Sequence, residues 1–353
     1  MTPTPIRLHW LKTHPSNGPA AMPYGAQHAA DHGVIWSESP DWVYRLSNWW
    51  QELRHASGSR LPRLHGPTAQ TLASFPRICK ADATLALFES EGHVAAALRA
   101  WCPPLRRKPL VIVACWLAQD LLTAAPARRK RLLRLYRHVS RVVVFSRNQR
   151  PILKQYLGLR DDQISVVHFG IDTGKADELL PTVSDNGTWL SVGRDQGRDW
   201  HTLVEAMALA GRPCDVITRP GSLPAILPAN VNALPAMPEA EYWQRLKACR
   251  GLVLAVRDLA YPSGQTVLLQ AMALGKPCVM TATAALVDYL PPDGVLTCAP
   301  GDSSALANAV LKLDADCRLR MSLGRTAREF VVRHCSEEKM WAGIAAVVRE
   351  GWA

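Results

Sequence analysis

The chain has 353 residues, enough for two domains with a core each. With 48% hydrophobic and 20% charged residues it reads as a folded globular protein, and no apolar run reaches the ~18 residues of a membrane span. The opening MTPTPIRLHWLK lacks the apolar core of a signal peptide, so a cytoplasmic chain is expected. The nine cysteines show no CxxC and no Cys/His cluster at zinc spacing, which predicts reduced thiols used as small core residues and no metal.

The net charge of +11 is lopsided: residues 1–175 hold 24 Lys/Arg against 11 Asp/Glu, and residues 176–353 hold 17 against 19. The excess concentrates in LRRKP (105–109) and ARRKRLLRLYRHVSR (127–141). In the second run Arg129, Lys130, Arg134, Arg137 and Arg141 stand near helical spacing, with Leu132, Leu133, Leu135 and Val139 between them. That pattern predicts a basic amphipathic helix, either a solvated face or one that meets an anionic membrane surface. Nucleic acid is not expected, because the basic runs carry no binding signature and no interleaved aromatics.

Short β-rich runs alternate with helical stretches along the whole chain. Strands are predicted at 6–11, 33–37, 83–88, 110–116, 141–146 and 164–169, then at 188–193, 214–218, 251–256, 278–283 and 294–299. Helices are predicted in the intervals, among them 201–210, 239–249, 266–274, 303–313 and 317–334. This alternation predicts an α/β protein with parallel sheets. The polar stretch GIDTGKADELLPTVSDNG (170–187) marks a boundary. The expected organisation is a domain over 1–172, a second over 173–336, and a terminal helix over 337–353 that packs back on the first. Two doubly wound domains would place ligands at the carboxyl ends of their strands, facing a cleft.

Two segments of the second half carry chemistry. After strand 188–193 comes GRDQGRDW, in which Gly193 permits a tight exit and Arg194 and Arg198 stand at a helix entrance. They could clamp a diphosphate or pair with Asp195 and Asp199. Further on, YPSGQTVLLQAMALGKP (261–277) opens on small polar residues and puts Ser263, Thr266 and Gln270 on one stripe, with Leu268, Leu269 and Met272 facing elsewhere. The stripe is either solvated or part of a helix N-terminus aimed at an anion, where free N–H groups favour phosphate.

These segments, with VVHFGID (166–172) before them and residues 288–338 after, resemble the retaining GT-B glycosyltransferases of the large family-4-like group. The likeness is nearly continuous over 141–340 and weak before it. It implies two Rossmann-like domains around a central cleft and sugar transfer from a nucleotide-sugar to a saccharide or lipid-linked acceptor, with retention. It further implies cell-envelope or polysaccharide synthesis, with the donor as substrate and no cofactor or metal, while the basic first half suggests a lipid-linked or lipopolysaccharide-like acceptor at the inner face of the membrane. Carried over, Gly193, Arg194, Arg198, Ser263, Gly264, Gln265 and Thr266 would surround the donor's diphosphate and sugar, and Gln270 its ribose. Asn17 and Gly18 would approach the donor from the first domain. Three places depart from the family: Pro262 and Gln270 stand where it has glutamates, and Cys115-Trp116 where a histidine commonly follows the strand. His93, Asp120 and Asp258 are the carboxylate and imidazole candidates left for catalysis. The departures keep open a rival reading, a relative that binds nucleotide-sugar without turnover.

Overall fold

A computed structural model describes residues 5–11, 23–38, 66–351 and the single positions 42 and 49. The chain forms two compact units, Met1–Val167 with Met340–Ala353, and His168–Lys339. The first division falls a few residues before the boundary expected at 172, and the second three residues into the terminal segment.

The first unit is built on six parallel strands: β1 (Ile6–Leu11), β2 (Val34–Glu38), β3 (Ala83–Leu87), β4 (Leu110–Ala114), β5 (Arg141–Val144) and β6 (Ile164–Val166), in the order β2-β1-β3-β4-β5-β6. Every residue of β3 and β4 is buried, as both faces of a parallel sheet are covered, so these strands read as unbroken apolar runs. The covering helix Glu89–Trp101 comes so close to β4 that a Cβ on Gly92 would lie 2.7 Å from the Ile112 side chain. The end of the chain completes this core. Trp341, in helix Glu337–Glu350, meets Trp10 edge-on at 5.9 Å between ring centres, and neither ring is exposed.

The second unit repeats the grammar with β7 (Trp189–Val192), β8 (Cys214–Ile217), β9 (Val231–Leu234), β10 (Gly251–Leu254), β11 (Cys278–Thr281) and β12 (Val295–Cys298). Their order, β9-β8-β7-β10-β11-β12, is the doubly wound one: the chain runs outward from β7, then crosses back to start again at β10. Strand β9 has no counterpart among the sequence expectations. Its VNAL is short, carries two exposed residues and is followed by Pro235, so it shows no apolar alternation. The thiols divide more widely than expected. Cys214, Cys249, Cys278, Cys298 and Cys335 are buried, while Cys79 and Cys317 are exposed. Burial pushes the Cys249 thiol up to about 12, which leaves it an inert core group.

The motif GKP ends the helix Gln265–Ala273 by the same close packing. Gly275 takes φ +67, and a Cβ on Gly324 of helix Cys317–His334 would fall 2.0 Å from the Gly275 carbonyl oxygen. Lys276 is buried, and its ammonium donates to the carbonyls of Ser184 and Cys249, which hold the charge that burial disfavours. Gly324→Ala should therefore cost about 1–3 kcal/mol of stability through overpacking against backbone. Met321→Ala, on an exposed part of the same helix, should stay within about 0.5 kcal/mol. Urea unfolding of both variants checks the contrast, and equal midpoints would refute it.

Candidate functional site

Strands β7 and β10 are neighbours at the point where the second sheet reverses its winding, and doubly wound sheets bind ligands beyond the carboxyl ends of such strands. The chain after β7 is stitched to the chain after β10. The Asp199 N–H donates to the Ala255 carbonyl at 3.0 Å, and the Arg257 N–H to the Gly197 carbonyl at 2.8 Å. This pairing carries the Arg198 side chain inward, where it is only 6% exposed.

Arg198 is the centre of a polar relay. Its Nε donates to the Val192 carbonyl at 3.0 Å and its Nη1 to Ser263 Oγ at 2.9 Å. Ser263 in turn donates to Asp195 Oδ2 at 2.8 Å, and Asp195 Oδ1 lies 3.5 Å from Arg198 Nη1 as an ion pair. Burial pulls the guanidinium below its usual range, and the charge of Asp195 pushes it back up. Arg198 is thus balanced by Asp195, whereas Asp199 caps helix Trp200–Ala210 by accepting from the Thr202 N–H. Arg194 differs: it is exposed, and it makes no hydrogen bond or ion pair among the described residues.

The glycines of the segment are demanded by this relay. A Cβ on Gly193 would lie 1.9 Å from Arg198 Nε, and one on Gly197 would lie 2.4 Å from Ser263 Oγ. Gly264 takes φ +89 and starts helix Gln265–Ala273, which no side chain caps. Its first-turn N–H groups are therefore short of partners within the helix. Gln265 is buried with its Oε1 unpartnered, and Thr266 is exposed. Gln270 is half-buried and already engaged, its Oε1 accepting from the Tyr242 hydroxyl at 2.6 Å. The stripe Ser263, Thr266, Gln270 is therefore not uniform: one residue serves the relay, one meets solvent and one is tied to helix Glu239–Ala248. Leu268, Leu269 and Met272 are fully buried on the opposite side.

At the carboxyl ends of β3 and β4 the first unit carries a second polar arrangement. Glu89 is buried, and its Oε1 accepts from the backbone N–H groups of Trp116 at 2.5 Å and Leu117 at 2.7 Å. Burial pushes its carboxyl up to about 7, although these N–H groups pull it down. Neither Glu89 nor Tyr242 was among the sequence candidates. A carboxylate in the apolar run LALFESEG was the available signal, whereas the Tyr242 contact spans 28 positions and leaves no trace in either segment.

Of the remaining candidates, Asp120 is near enough to Glu89 to raise its carboxyl, His93 meets the Tyr136 hydroxyl that feels both acids, and Asp258 stands apart. Asp120 pairs with Arg128 at 2.8 Å, so its carboxylate is engaged in an ion pair within the first unit. His93 is held neutral, its pKa lowered to about 4 by burial and then by Arg128 and Arg131, and its Nε2 lies 3.3 Å from the Tyr136 hydroxyl. Asp258 belongs to the second unit and is exposed. Asn17 and Gly18 lie outside the described residues. The basic stripe needs correction at two positions. Arg129 donates to the Leu121 and Leu122 carbonyls and covers the Tyr156 ring at 4.8 Å, and Arg141 meets Glu350 and the Asp162 carbonyl. Both are structural, because helix Pro126–Tyr136 turns Arg129 toward its neighbours and Arg141 opens β5. Lys130, Arg134 and Arg137 are exposed. Among the described residues no group of three or more His, Cys, Asp and Glu could hold a metal, and no helix is long and apolar enough to cross a membrane.

Residues 223–316 match the family model described as Glycosyl transferases group 1. A sequence search of curated proteins finds no match. Solved structures share the architecture. The HepE protein of Anabaena in complex with UDP and glucose aligns with a TM-score of 0.66 at 16% identity, over 98% of this chain and 99% of that one. Sucrose-phosphate synthase from Thermosynechococcus elongatus aligns with 0.64 at 19%, over 82% and 80%. A mutant of S. aureus TarM, in complex with fondaparinux, α-GlcNAc-glycerol and UDP, aligns with 0.60 at 13%, over 80% and 58%. At such identities the likeness shows the fold, and the fold is GT-B.

Gly193→Ala should displace Arg198, leave Asp195 and Ser263 without it, and lower stability by about 3–5 kcal/mol, as breaking a buried ion pair does. Ser263→Ala, which removes only a hydroxyl, should cost about 1–3 kcal/mol. Thermal unfolding of the two variants measures the order, and a Gly193→Ala protein as stable as the parent would contradict the relay.

Proposed function

We infer that this chain, with its GT-B fold and its Glycosyl transferases group 1 segment, transfers a sugar from a nucleotide-sugar donor to a saccharide or lipid-linked acceptor with retention of configuration. The observation that carries the reading is the conjunction at the β7/β10 reversal of an uncapped helix start behind Gly264 with the unpartnered cation Arg194. Such a place suits a diphosphate: N–H groups and guanidinium meet its oxygens, and the charge that builds on it during departure is met by dipoles already in place.

The second unit would hold the donor. Arg194 takes one phosphate, Gly264 lets the backbone approach, and Gln265 and Thr266 reach the phosphate and sugar. Arg198 stays anchored by Val192 and Ser263 and acts mainly through its charge. Gln270 keeps its amide N–H groups for a ribose oxygen while its carbonyl is held by Tyr242. As the bond from the anomeric carbon to the leaving phosphate breaks, the acceptor oxygen bonds to the same face of that carbon. Its proton passes to the departing phosphate oxygen. This step needs no base from the chain and no metal, because the arginine and the helix start supply the positive charge. A complex with UDP and glucose in HepE and one with a glycan and UDP in TarM support the substrate classes. A second reading, binding without turnover, is favoured by Pro262 where the family has an acid and by the engagement of Gln270. Incubation with a panel of UDP-, GDP- and ADP-sugars and saccharide acceptors, with the product anomer read by NMR, separates the two. The inference predicts a retained anomer, whereas donor binding with neither transfer nor donor hydrolysis would favour the second reading.

The first unit would take the acceptor near an anionic surface, at the inner face of a membrane. Between residues 92 and 160 the chain carries fifteen Lys/Arg and a single acid, Asp120. Arg99 ties two of its basic segments together, donating to the Leu105 carbonyl at 3.0 Å and to the His138 carbonyl at 2.6 Å. Burial lowers the pKa of His138, and the nearby charges of Arg106, Arg99 and Arg137 lower it further. Trp101, 88% exposed, falls between Arg99 and Arg106 in the sequence, and such a ring would suit a lipid headgroup layer.

Two outcomes are expected. Arg194→Ala should weaken UDP binding by about 1.5–3 kcal/mol, the range of a charge-assisted hydrogen bond, and calorimetry showing unchanged affinity would remove Arg194 from the site. Co-sedimentation with vesicles should need anionic lipid and fade with salt, at ~1 kcal/mol per basic residue near the surface, and Arg106→Glu with Arg137→Glu should abolish it. Equal binding to neutral vesicles would reject the membrane surface.

A further inference from the structure

Three costly features of the first unit converge on one exposed ring. Phe88, which follows β3, has φ 83 and ψ 163, a region that is essentially glycine's, and it is the single non-glycine residue with positive φ among those described. Next to it Glu89 is buried as a carboxyl whose Oε1 takes the N–H groups of Trp116 and Leu117. Gln149, also buried, donates from Nε2 to the Cys115 carbonyl at 3.1 Å. A strained backbone, a buried acid and a buried amide together fix residues 115–117 at the carboxyl end of β4. What they present is Trp116, 46% exposed, its ring 5.4 Å from that of Phe88 at 35°.

Core packing does not account for this arrangement, since a tryptophan serving the core would be turned inward, as Trp10 and Trp341 are. Residues held in rare backbone regions are costly and persist where surrounding contacts enforce them, commonly at ligand sites. An indole face of this kind, backed by a second ring and held by main-chain hydrogen bonds, matches a flat, weakly polar ligand surface of similar size. The C–H face of a pyranose ring is such a surface, and its hydroxyl edge remains in water.

We propose that Trp116 is a stacking platform for a pyranose ring of the acceptor, with Glu89 as the positioning residue that holds it. The assignment of that ring to the acceptor rests on the glycosyl-transfer reading; the stacking itself does not. Glu89 acts only through its acceptor oxygen, so Glu89→Gln, which keeps an oxygen there, should preserve the platform. Glu89→Leu, which removes it, should free residues 115–117 and lose the ring's orientation.

The test is saturation-transfer NMR on the full chain with a panel of methyl hexopyranosides, maltose and lactose as probes, and with UDP, GDP or ADP in the same samples. The expected result is saturation on ring protons of at least one saccharide. Affinity should fall roughly three- to tenfold in Trp116→Ala, or about 0.7–1.4 kcal/mol, within the range of an aromatic contact, and remain near the parent value in Trp116→Phe. Glu89→Gln should behave as the parent and Glu89→Leu as Trp116→Ala. Nucleotide signals should be the same in all variants, which also reports that the second unit stays folded. Saccharide binding unchanged in both Trp116→Ala and Glu89→Leu, or no saturation of any saccharide by the parent, would overturn the proposal. Failure of the parent to bind any of UDP, GDP and ADP, with saccharide stacking intact, would instead sink the glycosyl-transfer reading and leave the platform standing.

Discussion

The second unit depends on one buried charge. Arg198 sits at the carboxyl end of β7 with its guanidinium almost out of water, and the surrounding chain is arranged to make that tolerable. Val192 accepts from it, Ser263 relays to Asp195, and the pairing of residues 197–199 with 255–257 holds its backbone. Close approach also requires that Gly193 and Gly197 carry no side chain. A buried pair of this kind adds little net stability, since desolvation offsets much of the attraction. Its use is specificity: it joins the exits of two strands that are 62 residues apart in sequence and fixes the start of helix Gln265–Ala273. The free N–H groups of that helix and the exposed Arg194 then stand on a rigid base.

The first unit solves a similar problem with different chemistry. Its sheet ends on a strained Phe88 and a buried Glu89, and the latter holds a turn through main-chain hydrogen bonds. Because burial raises the Glu89 carboxyl to about 7, the group is favoured in its protonated form. Relative to an unfolded chain with an ordinary carboxyl, its contribution is most favourable below the unfolded pKa and is lost as pH rises toward 7. In the second unit Glu337, also raised to about 7 by burial and then by Asp172 and Glu338, gives a slope of the same sign. Both groups favour the folded state on the acidic side of neutrality.

Much of the fold was legible because parallel strands buried on both faces leave unbroken apolar runs, as LVIVA does in β4 and GLVL in β10. Strand β9 was not, since its residues are half exposed and its place is set by pairing with β8. In the site, the glycines and arginines of GRDQGRDW and the small residues of YPSGQ could be read as a cluster, since both follow strand signals. Which arginine was buried could not be read, because that depends on Ser263 and Asp195, the former 65 positions from Arg198. The stripe through Gln270 was legible as a periodicity, but its engagement by Tyr242 is a tertiary fact. Arg129 and Arg141 show the same limit: spacing placed them on a basic face, and carbonyls of neighbouring segments took them off it.

The central claim is that a nucleoside diphosphate binds where β7 and β10 reverse the winding of the second sheet. Amide hydrogen exchange, followed by mass spectrometry with and without saturating UDP, GDP or ADP, tests it most directly. The account predicts that at least one of these slows exchange in peptides covering 193–199 and 263–268, with β8 and β9 unaffected. Protection confined to other segments, or none with any of the three, would contradict it.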